Sequence, residues 1–177
     1  MTSEAAPTVA TTDLTAGTWR VVPLASTATF TVRDKTFLTV RGGLPVRAGT
    51  ATLHQGASLW EAHVELDARA IDTGNARRDR DLARPGLLDY TTHPTIVVTA
   101  GPTALRGHGW DLAATLSAGG ADCPLDLRAV AVESSADGVR VHVTGRLDRN
   151  GLRLRAPRFI IGRYIDIDVS LLFTAES

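Results

Sequence analysis

The sequence predicts a mainly β protein, a single eight-stranded antiparallel β-barrel with one short helical insert. Apolar and polar residues alternate with a period of two over most of the chain, as in strands with one dry face and one wet face. Glycines recur inside long strand patterns, where they let a sheet bend and close. Residues 71–94 break the alternation and carry the insert. An eight-stranded barrel is just wide enough to hold one ligand.

The strands follow from the alternation in chain order. Pro23 ends the first segment, and a glycine pair bends the third. The fourth segment alternates most clearly, with Trp60 and Val64 on its apolar face and charged residues on the other. We expect roughly eight strands, drawn from nine extended segments: 18–22, 27–33, 36–53, 58–69, 95–100, 110–116, 125–131, 139–147 and 165–173.

The insert has the signals of a short helix between two strands. Residues 72–75 have turn and N-cap chemistry, and the charged residues 76–83 favour helix. Pro85-Gly86 ends the helical segment. A long connection of this kind is uncommon in a compact β domain and is often functional.

Composition and charge exclude several classes of function. The chain has 177 residues, with 19 basic and 19 acidic residues and a formal net charge of zero, so we expect no nucleic-acid partner. It has no run of about 18 apolar residues, so no integral membrane segment is expected. The first residues do not have the pattern of a secretory signal, which predicts a cytoplasmic protein. We expect a flexible tail over residues 1–16 and one barrel domain over residues 17–177.

Reactive residues do not form a recognisable catalytic or metal-binding motif. Cys123 stands alone, so there is no internal disulfide, and no activating group lies beside it in sequence. Asp166 and Asp168 share one face of a strand, which is typical of a solvated surface. We therefore predict no catalytic residue, metal or cofactor. The histidines are scattered, without metal-ligand spacing, at His54, His63, His93, His108 and His142.

The arginines of the insert allow two interpretations. Arg77, Arg78 and Arg80 alternate with acidic residues too closely for a nucleic-acid patch. They form either a solvated helix that compensates its own charge or a site for an anionic headgroup at the barrel mouth. The apolar strand faces also allow two interpretations, because the wall of a packed core and the wall of a ligand pocket use the same residue types.

The chain resembles the YceI-like family of polyisoprenoid-binding, lipocalin-like proteins, as a divergent member. The matching residues are Gly17-Thr18-Trp19, residues 28–32, Val40-Arg41-Gly42-Gly43-Leu44 with Ala48-Gly49, Ile71-Asp72-Thr73, Arg78-Asp79 with Asp81-Leu82, Leu87-Leu88-Asp89, His93-Pro94-Thr95-Ile96 and residues 147–152. Asp81 stands where the family usually has histidine, and Leu87-Leu88 replaces a phenylalanine pair.

The resemblance implies an eight-stranded barrel with an elongated apolar cavity, a long-chain isoprenoid or lipid-like ligand, and a possible homodimer. The leading hypothesis is a carrier that sequesters an isoprenoid, quinone or fatty-acid-like amphiphile. We expect Arg77, Arg78 and Arg80 to contact its headgroup. The candidate wall residues are Phe30, Val32, Trp60, Val64, Leu66, Trp110, Leu112, Ile167 and Phe173, and the candidate lid residues are Leu82, Leu87 and Leu88.

Two other hypotheses remain open at this stage. The barrel can be an enzyme of the cyclase or isomerase type that acts on a hydrophobic metabolite, with an acid or base buried in its cavity. The candidate groups are Asp34, Asp81, Tyr90 and His93. Alternatively the barrel is filled by its own side chains and serves protein contacts.

Overall fold

One continuous antiparallel sheet makes up most of the molecule in the computed structural model, which describes residues 14–33, 39–155 and 162–177. Within those residues the strands are β1 (Gly17–Val21), β2 (Thr27–Arg33), β3 (Thr39–Leu44), β4 (Val46–Leu53), β5 (Leu59–Asp67), β6 (Thr95–Ala100), β7 (Gly109–Ala118), β8 (Ala121–Ser135), β9 (Gly138–Asp148) and β10 (Tyr164–Ala175).

The sheet closes on itself. Its order runs β1-β4-β5-β6-β7-β8-β9-β10, and β1 also pairs with β10 through Val21 and Phe173. Strands β1 and β2 both pair with β10, so together they form one long strand. Strand β4 pairs with β1 and β3 pairs with β2, so β3 and β4 together form the next long strand. The ten short strands therefore act as eight long ones. This confirms the predicted eight-stranded antiparallel barrel.

The joint between β1 and β2 is made by a proline and a buried serine. Pro23 begins a single 3-10 turn, Pro23–Ala25, because it has no N–H for the sheet. The Ser26 hydroxyl donates to the Val22 carbonyl at 2.8 Å and accepts from the Leu172 N–H at 3.0 Å. The Ser26 hydroxyl thus takes the place of a backbone acceptor for the Leu172 N–H. Strand β2 then continues the pairing with β10.

The helical insert leaves the barrel where β5 ends. Helix α1 (Ala76–Asp81) begins at Asn75, whose side chain accepts from the Arg78 N–H at 3.0 Å. Turns connect the helix to β6. Asp72 also forms an isolated bridge with Gly43 of β3, which holds the insert to the barrel. The insert is therefore a short helix followed by turns, as predicted.

The outer surface of the barrel carries polar and charged side chains, and the inner surface is apolar. On the outside, Arg146 pairs with Asp166 at 2.8 Å, and His142 contacts Asp168 at 3.0 Å. Asp168 is exposed and Asp166 is half-buried, and both pair across β9 and β10, in agreement with a solvated strand face. The buried apolar residues form one continuous cluster on the inside of the barrel.

Replacing Ser26 with alanine tests the joint. The substitution leaves the Leu172 N–H without its side-chain acceptor, so we expect the free energy of unfolding to fall by about 1–3 kcal/mol. Urea denaturation measures the change, and Ser58→Ala is the control because its hydroxyl bond to Gln55 lies on the surface. Equal stability of the two variants would contradict the role given to Ser26.

Candidate ligand-binding site

The barrel encloses a cavity of about 730 Å³. Apolar side chains from all eight long strands form its wall, so the interior is not filled by the protein's own side chains. This overturns the hypothesis of a filled barrel. The predicted wall residues that line it are Phe30, Val32, Val64, Leu66, Trp110, Leu112, Ile167 and Phe173, and the insert adds Leu82, Leu87 and Leu88.

The prediction that Trp60 belongs to the cavity wall is wrong. Trp60 is 51% exposed on the outside of the barrel, where its ring stacks on His54 with ring centroids 5.1 Å apart. The pairing of β4 with β5 shifts register near Leu53, which faces Leu59. This bulge adds one residue to β5. On the N-terminal side of the bulge, the residues that alternation predicts to face inward therefore face outward, and the reverse. Leu59 therefore faces inward in place of Trp60.

Glycines widen the cavity at two points of its wall. Gly42 pairs with Phe30, and a methyl group added to Gly42 would overlap the Phe30 ring. Gly145 pairs with Leu127, whose side chain occupies the space that a larger residue would fill. Both large side chains therefore lie against the wall and do not project into the cavity. Glycine in a strand is typical of such a close approach.

Two tryptophans and a leucine close the end of the cavity opposite the insert, which we call the far end. The Trp19 indole donates to the Thr15 carbonyl at 3.0 Å, and the Trp110 indole donates to the Ala57 carbonyl at 2.8 Å. Leu14 lines the cavity beside them. Leu14 belongs to the predicted tail, whose residues 1–13 lie outside the part of the chain that the structure describes.

Charged residues line the other end of the cavity, which we call the insert end. The sequence analysis identified Arg78, but Arg77 and Arg80 are exposed and lie outside the cavity lining, which corrects their prediction as headgroup contacts. Helix residues one or two positions apart do not share a face, so only Arg78 turns inward. The sequence analysis did not identify the other arginines that line the cavity, Arg84, Arg149 and Arg155.

Arg149 is the most deeply placed of these arginines. Only 4% of its surface is exposed, and it begins the 3-10 turn Arg149–Leu152 after β9. Asp148 holds this turn, because its carboxylate accepts from the Asn150 N–H at 3.0 Å and from Arg163 at 2.8 Å. The hydrogen bond from Arg163 lowers the pKa of Asp148. Asp148 therefore fixes where Arg149 enters the cavity.

The turn also packs on the single cysteine. Gly151 lies against the Cys123 sulfur, so closely that a larger residue would overlap it. Burial raises the pKa of the Cys123 thiol, and the negative charge of Asp148 adds to the effect. Both effects disfavour the thiolate form of Cys123.

The insert and the segment after β9 meet at this end of the barrel. The Arg155 N–H donates to the Gly86 carbonyl at 2.6 Å, and the Arg155 side chain packs on Gly86. Within the insert, Arg78 donates to the Thr73 hydroxyl and carbonyl, both at 2.8 Å. Two separate chain segments thus bring arginines to one end of the cavity.

Comparison with known proteins identifies the family. The sequence pattern of the YceI-like domain matches residues 19–176. The chain belongs to the YceI-like family. No curated protein sequence matches it.

Solved structures share the YceI-like fold at low identity. BcnA of Burkholderia cenocepacia is 12% identical, with a TM-score of 0.74 over 87% of this chain and 99% of that one. A polyisoprenoid binding domain from Saccharophagus degradans is 18% identical, with a TM-score of 0.68 over 89% and 98%. The Campylobacter jejuni YceI protein is 17% identical, with a TM-score of 0.61 over 78% and 85%. These likenesses establish the fold.

The candidate acids and bases of this YceI-like barrel lie mostly outside the cavity. Asp81 lines the cavity and pairs with Arg84 at 3.1 Å. The Tyr90 hydroxyl donates to the Asp79 carbonyl at 2.9 Å, and His93 packs against Gly120. Asp34 falls outside the residues that the structure describes.

The part of the chain that the structure describes contains neither a metal-binding cluster nor a helix suited to span a membrane. Among residues 14–33, 39–155 and 162–177, no three His, Cys, Asp or Glu side chains come close enough together to hold a metal ion. Over the same ranges, no helix has the length and apolar character needed to cross a membrane.

The pH dependence of stability tests the role of Asp148. Its pKa is lower in the folded protein than the ordinary 3.8, so its contribution to stability is present above that pH and is lost as the pH falls below it. We expect Asp148→Asn to lower the melting temperature at neutral pH and to match the wild type in acid. Thermal unfolding across pH measures this, with exposed Asp126→Asn as control. A difference that persists unchanged in acid would contradict it.

Proposed function

We propose that this YceI-like protein is a carrier that sequesters a long-chain apolar amphiphile inside its barrel. The observation that supports the proposal is the cavity of about 730 Å³ with an apolar wall. Ligand sites of proteins fall in a range of about 300–1,000 Å³ and combine apolar walls with few polar groups. The cavity has this composition, with charge at the insert end.

Burial of apolar surface would supply the affinity. Each buried methylene contributes about 0.8 kcal/mol before the costs of association. A chain atom takes up about 30 Å³, close to the share of a water molecule in the liquid, so the cavity holds about 24 chain atoms. Chain length up to this limit should therefore govern affinity.

The ligand class is narrowed by the wall and by the relatives. The Saccharophagus degradans structure is described as a polyisoprenoid binding domain, which makes isoprenoids the first class to test. Quinones and fatty acids remain candidates, because their chains can use the same wall. In this proposal the predicted wall residues other than Trp60 contact the chain, and Leu82, Leu87 and Leu88 cover it. A transport role, a homodimer and a cytoplasmic location stay predictions.

The enzymatic alternative has less support. It needs an acid or base inside the cavity, and among the described candidates Asp81 lines it but is paired with Arg84. We therefore keep the carrier as the proposed function. Native mass spectrometry of gently purified protein would reveal a bound lipid-like mass if the carrier retains its ligand.

A series of prenols tests the carrier proposal. Displacement of a fluorescent fatty-acid probe should give affinities that rise from geraniol through farnesol to geranylgeraniol, with Kd about micromolar or lower for the last. The gain should stop once the chain exceeds about 24 atoms, because further units remain in water. If no prenol, quinone or fatty acid binds measurably, the carrier proposal is refuted.

Two neighbouring glycines provide variants for the same assay. Gly42→Ala should force the Phe30 ring into the cavity and weaken binding of geranylgeraniol by about tenfold, the equivalent of about 1.4 kcal/mol. Gly43→Ala is the matched control, because a methyl group there meets only the Ala28 carbonyl at an ordinary distance of 3.7 Å. Equal binding by both variants would show that the ligand does not pass Phe30.

A further inference from the structure

We propose that the ligand carries an anionic headgroup, a phosphate or a carboxylate, and that Arg149, Arg155 and Arg84 bind it at the insert end. The inference rests on the proposed carrier function and selects among its ligand classes. It favours prenyl phosphates and fatty acids over neutral quinones and alcohols. It also moves the headgroup contacts away from Arg77, Arg78 and Arg80, which the sequence analysis had proposed for this role at the barrel mouth.

The first support is the position of Arg149. Arginine carries a planar guanidinium with five N–H donors. Arg149 is 4% exposed and lines the same cavity as the apolar wall, where charge is weakly screened by water. A guanidinium in this position attracts an oxyanion more strongly than it would on the surface. Bidentate pairing with phosphate or carboxylate is the geometry that arginine favours.

The second support is the number of arginines at the insert end. The described lining residues include four arginines and one aspartate. Asp81 is already paired with Arg84 at 3.1 Å, and Arg78 donates to Thr73. The rim arginines Arg84 and Arg155 are largely exposed, so their long side chains can reach a headgroup at the opening.

The third support is where the arginines come from. Arg84 belongs to the insert, whereas Arg149 and Arg155 follow β9, and the two segments meet through the Arg155 N–H and the Gly86 carbonyl at 2.6 Å. A single phosphate has enough oxygens to accept from both segments at once. The headgroup would then tie the insert to the segment after β9 and cover the chain behind it.

Matched ligands test the inference. Geranylgeranyl phosphate is compared with geranylgeraniol, and stearate with stearyl alcohol, by displacement of a neutral fluorescent probe. In each pair the apolar chain is the same, so the difference in affinity reports the headgroup. We expect the anion to bind at least about tenfold more tightly than its alcohol, and the preference to shrink as salt screens the charges. Comparison of the two pairs shows whether phosphate or carboxylate is favoured.

Variants locate the headgroup. Arg84→Met with Arg155→Met should remove most of the preference for phosphate over the matched alcohol, because both side chains reach the opening of the cavity. The matched control is Arg77→Met with Arg80→Met, which removes the same charge from the exposed face of α1 and should keep the preference. Arg149→Met tests the deep position, and its melting temperature reports whether it folds.

Each outcome decides between the two proposals. If geranylgeranyl phosphate and geranylgeraniol bind equally well, the anionic headgroup is refuted and the carrier proposal stands. If both pairs of variants reduce the preference equally, a diffuse positive field and not the rim site is responsible, and the inference fails. If none of the four ligands binds, and no quinone binds either, the carrier proposal itself is refuted.

Discussion

Closure of the sheet between β1 and β10 is the constraint on which the rest of the molecule depends. Three pairs of residues join β1 to β10, and β2 extends the seam along the same strand. Without closure the apolar inner face would be exposed, and two strand edges would be open to other chains. Pro23 interrupts the long strand at this seam, and Ser26 restores the hydrogen bonds there.

A closed barrel encloses a cavity only if its inward-facing side chains are too small to fill the interior. Aromatic residues make up only 5% of the chain and hydrophobic residues 44%, so the wall is mostly valine, leucine and alanine. Where large side chains do occur, as at Phe30 and Leu127, a glycine on the paired strand lets them lie flat. Gly42, one of the glycines that indicated a bent sheet in the sequence, therefore also helps to determine how much of the interior stays empty.

Alternation predicted the barrel and most of its wall, because the side of a strand that a residue faces is a local property. It failed at Trp60, because a bulge changes the side without leaving a mark in the alternation. The arginines failed for another reason. Arg77, Arg78 and Arg80 are close in sequence and were predicted to form one site, but the helix turns their side chains in different directions. Arg149 and Arg155 are far from the insert in sequence, and closure of the barrel brings them to it. The break after β9 was visible in the sequence, but its inward direction was not.

The two ends of the cavity differ in what they can offer a ligand. At the far end the indole N–H groups of Trp19 and Trp110 are already donated to backbone carbonyls, so a buried headgroup there would give up its hydration without those partners. At the insert end, arginines meet the apolar wall. Under the proposed function, an amphiphile would therefore have one favourable orientation, with its chain toward the tryptophans and its polar group toward the insert. Chain burial would then determine how tightly it binds, and the arginines would determine its direction.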